Sequence, residues 1–414
     1  MTEKLISQET RVLRRGMSPA AVLFAALFAA QAAILVLSPI LPQVAAEFGV
    51  STASAAQLRS VSGLTAGVLA LVLAATGQRF SLSSLLYGGL GIIGFGALVS
   101  AVAPTFVVLL LAQMVIGAGL AAVISGGLAA SETWAASGES AKVLSWALIG
   151  QPIAWVVGQP LVGLVAGRDW RWAWVAVPLA SSVMALVALG FRDRTVGDQG
   201  QDCDPIGLWK QAGMKWWAVG ELLAFAAWAG TLVYAGAVFI ESYSLSVGTT
   251  GLVLGAGALF YLPGNALGRR LLDKDIGPVI AGFSVIAAVG VTLFLTTSAN
   301  AIVAFLLFTV AVFFAAGRTI AGAAMGLQIS DGRRLAAMSV RTAAAQFGYL
   351  LGAGLGGVLL ETWGFAGAGW GFGILFIAGA AVHLPRLLSG RGSLGTAGRF
   401  LRRSRPTASS SGTR

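Results

Sequence analysis

The sequence predicts an all-α integral membrane protein, with twelve transmembrane helices arranged as two pseudo-symmetric six-helix bundles. Three observations support this prediction: the composition, the number of long apolar runs, and landmarks that recur at a nearly constant offset. Of the 414 residues, 57% are hydrophobic and only 10% are charged. A soluble globular domain carries about 25% charged residues, so lipid rather than water is the main solvent of this chain.

Twelve apolar runs of membrane length follow one another along the chain. A helix that crosses the bilayer core needs about 20 predominantly apolar residues. In the first half the runs cover residues 20–43, 55–77, 82–103, 105–130, 143–166 and 171–190. In the second half they cover residues 216–239, 248–268, 277–297, 300–325, 337–360 and 366–385. We number these predicted spans 1 to 12.

The polar segments divide the chain into five regions. We predict a cytoplasmic N-terminal tail (1–19), a six-helix bundle (20–191), a cytoplasmic linker (192–215), a second six-helix bundle (216–385) and a C-terminal tail (386–414). The last region is rich in Gly, Ser and Arg, a composition typical of disordered segments.

The basic residues predict the orientation. Lys and Arg outnumber Asp and Glu by 27 to 16, and most of them lie at span ends on the side of the two termini. We assign only Arg59, Arg168 and Arg171 to the opposite side, while Arg318 falls inside span 10. The positive-inside rule therefore places both termini in the cytoplasm and the chain in the cytoplasmic (inner) membrane. The basic excess therefore indicates orientation in a bilayer rather than nucleic-acid binding. For the basic C-terminal tail the two interpretations are a solvated segment and contact with anionic membrane lipid.

Composition argues against an enzyme, a metalloprotein and a channel. The chain has one histidine, His383, and one cysteine, Cys203, so we expect no disulfide, no metal cluster and no cofactor. An enzyme would need a nucleophile, a metal or paired carboxylates at one depth. A channel would show a repeated selectivity loop or a charged ring, and neither is visible.

Four landmark pairs indicate an internal duplication. Their offsets lie between 190 and 194 residues. The pairs are Arg79 and Arg269, Gly138 and Gly332, Gly163 and Gly357, and Trp170 and Trp363. Parallel halves related by an axis along the membrane normal place a cleft near the midplane, where a transporter binds its substrate.

Two loops and the fifth span resemble motifs of the major facilitator superfamily. Residues 77–82 (Gly-Gln-Arg-Phe-Ser-Leu) and 264–270 (Gly-Asn-Ala-Leu-Gly-Arg-Arg) stand where that family has Gly-x-Leu-Ala-Asp-Arg-x-Gly-Arg-Arg. Gln78 and Gly268 occupy the position of the Asp. The resemblance implies a gate that uses Arg79 and Arg269, with Glu132 and Glu139 as candidate partners of Arg79; the alternative is interfacial charges in water.

Span 5 resembles the Gly- and Pro-rich motif of the family's drug:proton antiporters. Gly158, Pro160 and Gly163 would form a kinked, closely packed seam between the halves. In span 4, Gln113 replaces the first residue of the family's Arg-x-x-Gln-Gly-x-Gly motif. That arginine is linked in the family to proton movement, so the replacement departs from the antiporter pattern.

Polar residues inside spans are costly and usually face the protein interior. Glu221 in span 7 and Arg318 in span 10 lie on helices that line the cavity in this family. We interpret them as candidates for proton coupling, against the alternatives of a fixed interhelical bridge or a Glu221 side chain that reaches water.

Further polar and aromatic residues predict an aromatic, largely uncharged substrate cavity, although any single aromatic residue in a span also suits packing. These candidates are Gln31, Gln113, Gln151, Trp155, Trp228, Tyr234, Tyr261, Gln346 and Tyr349. The resulting hypothesis is a monomeric secondary active transporter that exports a small amphiphilic molecule, coupled to protons, by alternating access. The alternatives are an uptake permease or uniporter for a metabolite and, more distantly, a non-transporting receptor or scaffold.

Overall fold

The computed structural model describes residues 17–76, 80–136, 139–192, 205–272, 275–330 and 334–382. Its membrane-length helices are numbered as the predicted spans. The first half contains α1 (Pro19–Phe48), α2 (Thr52–Thr76), α3 (Leu82–Ala101), α4 (Phe106–Thr133), α5 (Ser140–Ala166) and α6 (Arg171–Gly190). The second half contains α7 (Met214–Ser242), α8 (Val247–Leu271), α9 (Ile276–Thr296), α10 (Ala301–Ile329), α11 (334–362) and α12 (365–381).

The last two helices form one helical run, Arg334–Ala381, which is broken at Trp363 and Gly364. Gly364 adopts a positive φ of 64°, a conformation that glycine accepts without strain. With its two limbs counted separately, the described part of the chain forms twelve membrane-length helices, as predicted. The short helix Pro205–Trp209 lies within the predicted linker, and the predicted C-terminal tail lies outside the described residues.

Several helices extend beyond their apolar runs. Span 1 was predicted to end at residue 43, whereas α1 turns at Val36 and continues to Phe48, where Gly49 closes it in the left-handed conformation. Span 11 was predicted from residue 337, whereas α11 begins at residue 334. Helical hydrogen bonding continues past the hydrocarbon core, so hydropathy alone underestimates helix length.

Glycines allow the two halves to approach backbone to backbone at two seams. In the α5–α8 seam, a Cβ added to Gly163 would lie 2.7 Å from the carbonyl oxygen of Val247. In the α2–α11 seam, a Cβ added to Gly357 would lie 3.3 Å from the carbonyl oxygen of Ala53. An offset of 194 residues relates Gly163 to Gly357 and also Ala53 to Val247. The seams are therefore pseudo-symmetric, as the internal duplication predicts.

The halves are also joined toward one side of the molecule. The side that carries residues 49–51 and Glu361 is called the predicted outer side, and the opposite one the predicted inner side. The Ser38 hydroxyl of α1 donates to the carbonyl oxygen of Leu232 in α7 at 2.7 Å. Nearer the predicted outer side, the Ser51 hydroxyl donates to Glu361 and the Thr52 hydroxyl to Glu241, each at 2.7 Å. These contacts close the halves against each other on that side.

Large apolar side chains cover the outside of the bundle. Leu164 is 73% exposed, and Phe95 and Ile302 are also exposed. Such a surface is unfavourable in water but is expected for helices that face lipid tails. Candidate spans of this length and hydropathy in both halves make the chain a multi-pass membrane protein.

Candidate functional site

A pocket lies where α1, α5, α7 and α11 meet, and both halves contribute to its walls. Its lining residues are Ile34, Leu37, Ser38, Trp155, Leu232, Val233 and Tyr349. The lining is mostly apolar, with one aromatic residue from each half. Trp155 and Tyr349 were both predicted to face a cavity, and the 194-residue offset relates them. The pocket begins at the Ser38–Leu232 contact that joins α1 to α7.

Four further predicted cavity residues lie near these walls. Gln31 interacts through its side chain with the Tyr349 hydroxyl. Gln151, Gln346 and Trp228 each lie one helical turn from a lining residue on the same helix. Gln346 and Trp228 are buried, whereas Gln151 is half-buried. These residues and the pocket occupy the same level of the bundle.

Two predicted cavity residues lie elsewhere. Gln113 donates from Nε2 to the Ser100 hydroxyl at 3.1 Å, a contact that joins α4 to α3 within the first half. The Tyr234 hydroxyl donates to the carbonyl oxygen of Ala353 at 2.7 Å, and its ring stacks on Phe372 of α12. Neither side chain lines the pocket described above, because depth along a helix does not determine which way a side chain points. Their place in a substrate cavity stays a prediction.

A buried cluster of charges joins three helices of the second half. Glu221 of α7 is 0% exposed and Arg318 of α10 is 2% exposed, and Arg318 Nη1 lies 2.5 Å from Glu221 Oε1. Arg341 of α11 approaches the other carboxylate oxygen, with Nε 2.9 Å from Glu221 Oε2. We call Glu221, Arg318 and Arg341 the charge triad. Its second arginine, Arg341, had been counted among the basic residues on the side of the two termini.

Backbone groups and one glycine hold the charge triad in place. Gly322 of α10 leaves room for the Glu221 carboxylate, which a Cβ at that position would contact. Arg318 Nη2 donates to the carbonyl oxygen of Gly220 at 3.0 Å. Arg341 Nη2 donates to the carbonyl oxygen of Thr319, also at 3.0 Å. The guanidinium groups thus have acceptors besides Glu221, as buried charges require.

Tyr261 of α8, another predicted cavity residue, is half-buried and interacts with the side chain of Thr319 in α10. It therefore lies beside the α8–α10 contact, close to the backbone group that accepts from Arg341.

A second buried arginine was missed by the sequence analysis. Arg59 was assigned to the predicted outer side, but it lies two turns inside α2 and is only 1% exposed. Its Nη2 donates to Gln346 Oε1 at 3.3 Å, and its guanidinium lies 4.0 Å from the centroid of the Tyr349 ring. Nη1 donates to the Ser62 hydroxyl. A signal was present, because Arg59 lies inside the apolar run 55–77, as Arg318 lies inside its own.

The predicted helix-packing motif of α5 is divided between two partners. A Cβ added to Gly255 of α8 would lie 2.6 Å from Pro160 Cδ, so Pro160 and Gly163 belong to the seam between the halves. Gly158 instead faces Leu35 of α1, whose Cδ2 would lie 3.1 Å from an added Cβ. Its contact is within the first half, which corrects its predicted place in the seam.

Comparison with protein families decides the classification. The model of the Major Facilitator Superfamily matches residues 23–317 and residues 217–405. The chain belongs to the major facilitator superfamily. It is a multi-pass membrane transporter of this type.

Individual relatives agree with that classification. An uncharacterized MFS-type transporter, YbcL of Bacillus subtilis (strain 168), is 24% identical over 349 residues, which cover 81% of this chain and 87% of the relative. A bacterial homolog of the human lysosomal transporter Spinster, in an inward-facing and occupied conformation, matches with a TM-score of 0.72 and 13% identity over 91% of this chain and 98% of that one. The human organic anion transporter MFSD10 (TETRAN) matches with a TM-score of 0.68 and 12% identity over 88% and 98%. At these identities the two structures show a shared fold.

The structure explains one departure from the superfamily's loop motif. Gly268 stands where the motif has its Asp, and a Cβ there would lie 2.9 Å from the backbone of Gly317 in α10. An Asp side chain does not fit into that contact. Arg269 is exposed in the last turn of α8. Arg79 and the side chain of Glu132 lie outside what the structure describes, so their proposed gate stays a prediction.

Proposed function

We propose that this superfamily transporter exports a small amphiphilic compound by alternating access and that inward proton movement drives the export. In this closed arrangement the pocket shared by the two halves has room for little more than a water molecule. Its apolar, aromatic lining would suit the apolar body of such a compound when the halves separate. The predicted orientation, with both termini in the cytoplasm, is part of the proposal. So is the monomeric state.

The charge triad is the observation that supports proton coupling. Ionisable residues inside a membrane protein commonly mark ion or proton pathways. Glu221 is the carboxylate that holds two guanidinium groups, and those groups belong to two other helices. Protonation of Glu221 would remove the charge that attracts both arginines. The attachment of α10 and α11 to α7 would then weaken.

The triad is linked to the pocket through α11. Arg341 and Tyr349 lie eight residues apart on that helix, about 12 Å along its axis. The same helix forms the α2–α11 seam with the first half. Weakening of the Arg341–Glu221 ion pair would therefore affect a pocket wall and a contact between the halves.

One observation favours a transporter without proton coupling, either an uptake permease or a uniporter. The two arginines also make backbone hydrogen bonds, and such additional contacts are what a permanent bridge between helices uses. In that case Glu221 would stay charged throughout the cycle.

Transport into inverted membrane vesicles separates these functions. The vesicles receive an imposed proton gradient and a panel of hydrophobic cations, antibiotics, sugars and aromatic carboxylates, while a pH-sensitive dye reports proton release. Export predicts that one class of compound accumulates in inverted vesicles and collapses the gradient. Accumulation only in right-side-out vesicles would indicate uptake, and movement independent of the gradient would indicate uniport.

Glu221→Gln tests the role of the triad with a side chain of the same shape. We expect gradient-driven accumulation to fall to the level of vesicles without the protein. Exchange of labelled for unlabelled compound at equal pH should continue. The control is Glu47→Gln, because Glu47 is exposed on the predicted outer side and pairs with Arg171 within the first half. Unchanged accumulation in Glu221→Gln would remove Glu221 from the coupling, and loss of both activities would assign it to the fold.

A further inference from the structure

We propose that Arg59, together with Gln346 and Tyr349, binds an anionic group of the transported compound. This inference rests on the proposed function in one respect, that the pocket beside Tyr349 receives the substrate. It specifies the substrate class further, as an amphiphile with a carboxylate or a similar oxyanion.

The contacts of Arg59 leave its charge uncompensated. Among the described residues, no carboxylate oxygen lies within 4.0 Å of its guanidinium, in contrast to Arg318. Its partners there are the neutral side chains of Ser62 and Gln346 and the ring of Tyr349. Nε is buried without a hydrogen-bond partner. A buried guanidinium normally has a counter-charge, because its removal from water is costly.

The seam between the halves does not need this charge. The 194-residue offset that relates the two seams places Val253 of α8 at the position of Arg59 in α2. Val253 is half-buried and packs against the hydrophobic core. One seam therefore forms with an apolar residue where the other carries an arginine, so packing alone does not account for Arg59.

The position of Arg59 relates it to the pocket. Its guanidinium stacks on Tyr349, which is a pocket wall, and Gln31 approaches the hydroxyl of the same tyrosine. The other walls are mostly apolar. A ligand with an apolar body in the pocket would place its polar end near this cluster. The flat guanidinium with a free Nε–H matches the two oxygens of a carboxylate, to which arginine donates in pairs.

Anion binding would also alter a contact between the halves. Arg59 belongs to the first half, whereas Gln346 and Tyr349 belong to the second. The existing hydrogen bond to Gln346 is long, at 3.3 Å, and a charged acceptor would be preferred over an amide. A carboxylate that replaced Gln346 would therefore release α2 from α11 at this level. Substrate binding would thus favour separation of the halves.

Binding measurements without any gradient test this inference. The purified protein in lipid nanodiscs is titrated calorimetrically with benzoate, naphthalene-2-carboxylate and biphenyl-4-carboxylate, and with the neutral amide of each. We expect one or more of these acids to bind more tightly than its amide. Arg59→Gln should weaken binding of that acid about 10- to 100-fold, the range for a hydrogen bond to a charged group, and leave the amide nearly unchanged.

Two variants keep the result interpretable. Arg59→Lys retains a positive charge but loses the paired donors, so an intermediate affinity for the acid is expected. Arg168→Gln removes an exposed arginine of the loop after α5 and should keep the full preference for the acid. An unchanged preference in Arg59→Gln, or saturable binding of none of the acids to the wild type, overturns the proposal. A wild-type protein that prefers the acid to its amide but shows no proton-driven transport would instead contradict the proposed function alone.

Discussion

The two halves fill the same position of the fold in different ways. In the second half, one position between three helices holds the charge triad. The 194-residue offset assigns Leu27, Ile124 and Ala147 to the equivalent position in the first half. All three of these residues are buried. Leu27 lies against Gly127 of α4 much as Glu221 lies against Gly322 of α10.

The comparison separates packing from function. The first half assembles with an apolar cluster at this position, so we expect that the second half can also assemble without the charges. Buried ion pairs are often no more stabilising than well-packed apolar residues. The triad and Arg59 are thus two places in the described part of the chain where the duplicated halves differ in charge while they share a backbone arrangement. We attribute both differences to transport.

The largest effect is expected when the triad is broken but not replaced. Glu221→Leu leaves two buried guanidinium groups without their carboxylate and should lower the free energy of unfolding by about 3–5 kcal/mol. The triple variant Glu221→Leu/Arg318→Ile/Arg341→Ala copies the cluster of the first half. It should recover to within about 1 kcal/mol of the wild type. Unfolding in mixed micelles, followed by tryptophan fluorescence, measures both values.

The comparison fails if the triple variant is as unstable as the single one, because the charges would then be needed to assemble the second half. A matched control is Leu27→Ala in the first half, which creates a cavity beside Gly127 and carries no charge effect.

The fold was largely predictable, because membrane length, charge at span ends and the duplication each leave a clear pattern in the sequence. The positions of individual site residues were less predictable. Gln113 and Tyr234 were predicted to line a cavity, whereas their side chains bond to Ser100 and to the backbone of Ala353 and lie outside the pocket lining. Lipid accepts apolar residues on the outer face of a helix, so the periodicity that marks a buried face in water is weak here. Arg59 and Arg341 were missed for another reason: each lies two turns inside a helix that begins before its apolar run.

At Arg59 we expect a smaller change in the free energy of unfolding than at Glu221, and an increase rather than a decrease. Arg59→Val introduces the residue of the equivalent position in α8 and removes a buried charge, at the loss of its contact with Tyr349. The two contributions partly cancel, and we expect a net gain of about 1–2 kcal/mol in the free energy of unfolding. The same micelle experiment measures it, with Arg168→Val as an exposed control. A loss of stability would show that Arg59 serves the seam and would weaken its assignment to an anionic ligand.

The smallest effect is expected at the predicted outer side, where exposed hydroxyl–carboxylate hydrogen bonds link the two halves. Glu361→Ala/Glu241→Ala removes the bonds from Ser51 and Thr52, which are exposed and therefore contribute only about 0.5–1 kcal/mol together. It leaves intact the bond that the Ser51 hydroxyl accepts from the Ser54 N–H at the start of α2. Loss of this free energy leaves global stability nearly unchanged. It raises the fraction of molecules that are open on this side about two- to fivefold.

Spin labels at the exposed positions Val102 and Ser298, in a Cys203→Ser background, report this population through their distance distribution. Thr296→Ala is the control, since its hydroxyl bonds within its own helix at 2.8 Å. An identical distribution in the double variant would mean that the glycine seams and the Ser38–Leu232 contact alone hold this side closed. The exposed acids would then have no part in holding this side closed.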